Sequence, residues 1–199
     1  MIGSELYTYE IYPLVDRYSQ FLTTKPLTYG FIADKPEPAR ELAVSLIETM
    51  KLHHGIGLAA NQVGIPFRVF VMGAEGVGYA FFNPEILETT GETSFEEGCL
   101  SFKGLFLPIK RPETVKIKYQ DMAGEWREQT FAGLSARVVL HEYDHMEGIV
   151  YTSKVSSYVL DRARRKVPSN LKKLKAQQEQ EAKQAIIMQA LKNLSKSNT

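Results

Sequence analysis

Gly133-Leu134-Ser135-Ala136-Arg137-Val138-Val139-Leu140-His141-Glu142-Tyr143-Asp144-His145 runs on without a further glycine or proline until Gly148, which predicts one long helix. His141 and His145 stand four residues apart and share a face of that helix. Both imidazoles can therefore reach one metal ion, while Glu142, beside the first of them, addresses a water at the same ion. Such a string reads as a metallohydrolase centre. A solvated helical face is the bland alternative, and the rest of the sequence is read against it.

Upstream of this helix the pattern is that of strands. Thr114–Tyr119 alternates polar and apolar residues as a half-buried strand, Asp121–Gly124 makes a turn, and Trp126–Phe131 returns antiparallel. Phe67–Met72 and Tyr79–Phe82 read as two more strands joined by a glycine-rich turn, with Asn83-Pro84 closing the second. Leu42, Val44, Leu46, Ile47, Met50 and Leu52 recur at helical spacing after the start Pro36-Glu37-Pro38-Ala39, and Gly55 and Gly57 end that helix. Residues 1–36 carry apolar patches at Tyr7, Tyr9, Ile11, Tyr12 and Phe21 but little periodicity, with breaks at Lys25-Pro26 and Lys35-Pro36. Antiparallel strands packed on a helix that carries the histidines give an α+β fold.

With 199 residues the chain is of ordinary single-domain length, and its lone cysteine, Cys99, excludes an intramolecular disulfide framework. Met1–Asp16 shows neither a basic cluster nor a long apolar stretch, and no run reaches membrane-spanning length, so a cytoplasmic protein is expected. Charge is unevenly shared. Residues 156–199 hold 10 Lys or Arg against 3 Asp or Glu, whereas residues 1–155 hold 14 against 20. The reading is a catalytic body over 1–155 and a basic helical extension over 156–199. Pro168 separates a short helix, 157–166, from a longer one that begins after Ser169-Asn170 and carries a loose apolar stripe of Leu171, Leu174, Ala182, Ala185, Ile186, Ala190 and Leu194. Such a tail suits a polyanion such as nucleic acid, or is a solvated helix whose lysines keep it soluble.

Cys99 lies in Glu96-Glu97-Gly98-Cys99-Leu100-Ser101. It is either a third metal ligand, completing an open tetrahedral site with a thiolate and two imidazoles, or a small buried apolar filler. Ser101 suggests acyl-enzyme chemistry, but no nucleophile elbow is present. His53 and His54 are adjacent, diverge on a helix, and are read as helix-end residues rather than ligands. Asp144 is either an acceptor that orients a ligating imidazole or a carboxylate on the helix surface.

Gly55-Ile-Gly-Leu-Ala-Ala-Asn-Gln62, Glu97-Gly-Cys-Leu-Ser101 and His141-Glu-Tyr-Asp-His145, in that order, resemble the three signature motifs of the peptide deformylases. The resemblance extends over roughly residues 38–150. It implies the family's α+β fold, with antiparallel sheets around a central HExxH helix, and its reaction: removal of the N-formyl group from the initiator methionine of nascent polypeptides, with release of formate. It also implies Cys99, His141 and His145 as metal ligands, Glu142 as the catalytic carboxylate, and Gln62 with the backbone N–H of Leu100 as holders of the formyl oxygen. Gly57 matches a backbone position that aligns the peptide, and Ile56, Gly98, Leu134, Arg137 and Val138 fall in the substrate pocket. Arg137 is alternatively a structural residue bonded to carbonyls or a solvated one. The implied metal is Fe²⁺, with Zn²⁺, Ni²⁺ or Co²⁺ as replacements. The implied partners are formylmethionyl nascent peptides and the ribosome near its peptide exit, approached by the basic extension, with no membrane and no DNA. The chain departs from its relatives after Ser101, where it reads Phe102-Lys103-Gly104-Leu105-Phe106-Leu107-Pro108, and this is expected to alter the substrate subsites. Two other classes remain: a metallopeptidase that cuts internal bonds, and a silent ribosome-binding protein with a structural metal.

Overall fold

The computed structural model describes residues 9–32, 35, 37–74 and 77–197. Tyr7, Pro36, the centre of the expected glycine-rich turn and the side chains of Ala185, Ile186, Ala190 and Leu194 lie outside the described residues. Seven strands and four α-helices are present among the described residues: α1 Glu37–Leu52, β1 Gly57–Ala59, β2 Val69–Ala74, β3 Val77–Thr90, β4 Thr93–Glu97, β5 Leu107–Arg111, β6 Thr114–Gln120, β7 Trp126–Ala132, α2 Gly133–Met146, α3 Ser157–Arg164 and α4 Val167–Ser197.

Five strands form a sheet in the order β1-β2-β3-β6-β7, and β4 pairs with β5 as a separate ribbon; every one of these pairings is antiparallel. The two-residue period of β2 explains the layering. Val69 and Val71 point into a cluster with Ala39, Ala43, Leu46, Ile47 and Met50 of α1, whereas Phe70 and Met72 point the other way, into a cluster with Val138, Val139, Leu140 and Met146 of α2. The sheet is thus packed between α1 and α2, with apolar side chains on both faces. A third cluster joins Cys99, Leu107 and Ile109 to Tyr151 and Ala163, tying the β4–β5 ribbon to α3.

Two boundaries differ from the sequence reading by more than two residues. β3 does not stop at Asn83-Pro84 but continues to Thr90, because the register with β6 shifts between Phe82 and Glu85. Asn83 takes φ +49° there, and a bulge accommodates the missing proline N–H without ending the ladder. The second concerns Pro168, which opens α4 rather than preceding it: the helix begins at Val167. In a first turn the proline removes no helical hydrogen bond, so the break falls at Arg165-Lys166 instead. No helix is long and apolar enough to cross a membrane among the described residues.

Candidate metal centre and substrate cleft

α2 is buried almost all round, since it lies between the sheet and the β4–β5 ribbon, and it presents His141, Glu142 and His145 at the interior. Cys99 arrives from the turn after β4. The ligating atoms of Cys99, His141 and His145 lie within 4.8 Å of one another, with Cys99 Sγ 3.6 Å from His145 Nε2. A thiolate and two imidazoles are a suitable donor set for a borderline divalent ion. Glu142 Oε2 is buried with no partner among the described residues, and its carboxylate faces the same cleft. The residues present therefore fit a metal ion with a water beside it.

Glu97 organises this centre and was not singled out by the sequence. It accepts hydrogen bonds from Arg111 Nε (2.6 Å) and Nη2 (2.9 Å) and from Arg137 Nη1 (2.6 Å), and its Oε2 lies 3.0 Å from His141 Nδ1. With Nδ1 engaged by the carboxylate, Nε2 of His141 is turned to the metal position. Burial opposes ionisation of Glu97, but the hydrogen bonds from His141 and Arg111 prevail and hold its carboxyl down at about 2. Burial also opposes a charge on His141, yet the contacts with Cys99 and Glu97 push it up to about 10. His145 has no carboxylate beside it, its Nδ1 being buried without a partner among the described residues; burial and the nearby His141 hold it well below the ordinary imidazole range.

Asp144 is corrected by the structure on both readings. It is neither on the surface nor bonded to a ligating ring; it accepts from Arg111 Nη1 at 2.7 Å and pairs with Lys154 at 3.0 Å. The imidazole is oriented by Glu97 instead, whose place two residues before Cys99 in the second motif was the available signal. Arg137 is buried and donates to the carbonyls of Ile109 (3.0 Å) and Thr93 (2.9 Å) as well as to Glu97, so it braces the ribbon against α2 while lining the cleft.

The cleft beside the metal position encloses about 710 Å³ and is lined by Ile56, Gly57, Gln62, Gly98, Leu100, Leu134, Val138 and Glu142, among others. Gly57 is required by closeness: a Cβ there would collide with Glu142 Oε1 and come within 2.9 Å of Val138 Cγ1. Gln62 is buried in a short 3₁₀ turn, Ala60–Val63. Its Oε1 accepts from the N–H of Ala59 at 2.8 Å, which leaves Nε2 to face Cys99 Sγ (3.3 Å) and Ser101 Oγ (3.1 Å). Leu100 opens another 3₁₀ turn, Leu100–Phe102, so its N–H has no partner within the turn. His53 and His54 line the cleft but stand outside the ligand cluster. Burial of Glu142 makes its ionisation costly and lifts its carboxyl to about 7, against a smaller opposing effect of His141.

The sequence profile described as "Polypeptide deformylase" matches residues 22–160. The chain belongs to the polypeptide deformylase family. A peptide deformylase of Dictyoglomus turgidum is 46% identical over 127 residues, covering 64% of this chain and 78% of that one. The crystal structure of the Thermotoga maritima peptide deformylase superposes with a TM-score of 0.69 at 37% identity, over 74% of this chain and 99% of that chain. That of a Legionella pneumophila peptide deformylase gives 0.74 at 32% identity, over 84% and 98%. As a member of this deformylase family the protein is a metal-dependent hydrolase that removes the N-formyl group from the initiator methionine of nascent polypeptides. The profile match ends inside α3, leaving α4 outside it.

Proposed function

We propose that Cys99, His141 and His145 hold one Fe²⁺ in the working enzyme, with Zn²⁺, Ni²⁺ or Co²⁺ as replacements, and that Glu142 carries the protons of deformylation. A bound divalent ion supplies Lewis acidity and lowers the pKa of water. The rest is the work of this chain's own groups. Glu142 accepts a proton from the water that attacks the formyl carbon, then donates it to the methionine nitrogen as the C–N bond breaks, giving formate and a free amine. A carboxyl lifted to about 7 is matched to both halves of that transfer. Gln62 Nε2 and the Leu100 N–H donate to the formyl oxygen as charge builds on it. Gly57 aligns the peptide backbone, while Ile56, Gly98, Leu134, Arg137 and Val138 form the pocket around the methionine. The observation that carries this reading is the buried Glu142 carboxylate, whose Oε2 has no partner among the described residues, beside three clustered ligands.

The same reading divides the chain into a catalytic body, residues 1–155, and a basic extension, residues 156–199, that meets the ribosome near the peptide exit. The net charge of +7 on the extension supports it. A steep fall of ribosome affinity with added salt, and its loss on truncation at Pro168, is the expected result; affinity untouched by truncation would refute docking.

The enzymatic test is formate release from formyl-Met-Ala-Ser by Fe²⁺-loaded protein prepared without oxygen, beside Glu142→Gln with its metal content measured. Release should fall by about 10²–10⁴-fold in the metal-replete variant. A fully loaded wild type that releases no formate would overturn the assignment.

A further inference from the structure

α4 lies beyond the part of the chain that matches the deformylase profile, yet it reaches the cleft. Leu171, Leu174, Lys175 and Gln178 all line the cavity that holds Cys99, His141 and Glu142. Their spacing of three, four and seven residues places them on one helical face, and Lys172 and Lys173 do not line the cavity. The start of the helix is fixed in place. Asn170 Nδ2 donates to the carbonyl of Gly104 at 2.9 Å, and Val167 packs against the cluster around Leu107 and Tyr151. Gly104 has φ +77°, and Leu171 Cδ2 sits 3.0 Å and the Val167 carbonyl oxygen 3.3 Å from where its Cβ would be, so the helix packs closely on this glycine. The loop that receives α4 is the one that departs from the family pattern after Ser101.

Charge on this wall is one-sided. Lys103 and Lys175 both line the cleft, and among the described residues neither is in an ion pair. The buried Glu97 is already matched by Arg111 and Arg137, and Glu142 is held in the interior. Glu96, on β4, is the exposed carboxylate of the lining. A lysine on an exposed helix is a mobile point charge able to follow a carboxylate on a peptide chain.

We infer that the first turns of α4 are a wall of the substrate cleft, and that Lys175, with Lys103, receives a carboxylate borne by the peptide beyond its first methionine. The inference rests on the deformylase reading above. Two sources share that chemistry, an acidic side chain and the free end of a short peptide, and two substrate pairs separate them: formyl-Met-Ala-Asp-amide against formyl-Met-Ala-Asn-amide, and formyl-Met-Ala-Ser against its amide. For metal-loaded wild type at low salt, kcat/KM should favour the acidic member of at least one pair by about three- to fivefold, carried by KM. The ratio should fall towards one in K175Q, return in K175R, and shrink at about 1 M salt. A preference in the first pair alone identifies a side chain, and in the second alone the chain end. Equal ratios in wild type and K175Q would overturn the contact, as would a preference for the uncharged member, which would assign the rim to Glu96. Absence of formate from all four peptides would instead overturn the deformylase reading on which it stands.

Discussion

α2 and α4 both carry many charged side chains, yet α2 buries ten of its 14 residues, including Arg137, Glu142 and Asp144, whereas no described residue of the 31-residue α4 is buried. In α2 each buried charge except Glu142 has partners at hydrogen-bond distance, because an unmatched charge in the interior is costly. In α4 water does the matching, and the lysines need no partner. The difference teaches where charge has to be arranged by the fold and where the sequence can place it freely. It also isolates Glu142 as the one interior charge on α2 left open to a substrate.

Removing one partner from the interior network is the most severe way to test this contrast. Arg111 is buried and joins Glu97 to Asp144 while donating to the carbonyl of Leu140 at 3.2 Å. Arg111→Ala takes two hydrogen bonds from Glu97 and one from Asp144, leaves only Arg137, His141 and Lys154 beside them, and should cost about 3–5 kcal/mol. Lys172→Ala and Lys173→Ala on α4 should stay within about 0.5 kcal/mol. Urea unfolding with matched slopes measures both, and comparable losses in the two regions would break the comparison.

Acid should find the same asymmetry. The folded-state carboxyl of Glu97 lies near 2, below its ordinary 4.5. Its contribution is therefore complete above about pH 4.5 and is lost as the pH falls through the window down to about 2. At most this amounts to about 3 kcal/mol. Urea midpoints of wild type between pH 6 and 3 should fall more steeply than those of Glu97→Gln, whose side chain does not titrate. Parallel curves would show that the network is not what acid dismantles.

What could be read in the sequence follows from distance along the chain. His141, Glu142 and His145 were legible because a helix brings residues four apart onto one face, α1 and β6 because their apolar periods are local, and β7 because the turn at Asp121–Gly124 brings the chain back beside β6. Cys99 and Gln62 were legible only through their motifs, since nothing in their spacing to α2 says that they meet it. The partners of Glu97 could not be read: Arg111 is 14 residues away and Arg137 is 40 away, and they converge only when the β4–β5 ribbon folds back on α2. Asn83-Pro84 misled because a bulge absorbs a proline that a regular strand cannot. The approach of α4 to the cleft was illegible for the same reason as Glu97, as Asn170 and Gly104 are 66 residues apart.

Within α4 the contrast should reappear on a smaller scale. A chain ending after Gln178 keeps Asn170, Leu171 and Lys175 and discards only the stretch beyond the cleft, so its unfolding free energy should change by less than about 0.5 kcal/mol. The discarded stretch holds Lys183, Lys192 and Lys196 against Glu179 and Glu181, a net of +1, so ribosome affinity should also change little. Ending the chain after Lys166 removes the Asn170–Gly104 bond and the packing of Val167 and Leu171. That should cost about 1–2 kcal/mol and raise KM while the metal content stays constant. The pair of truncations thus separates a docked first part from a solvated remainder. Equal effects from the two cuts would mean that α4 acts as one unit along its whole length, and the boundary drawn at Gln178 would have to be abandoned.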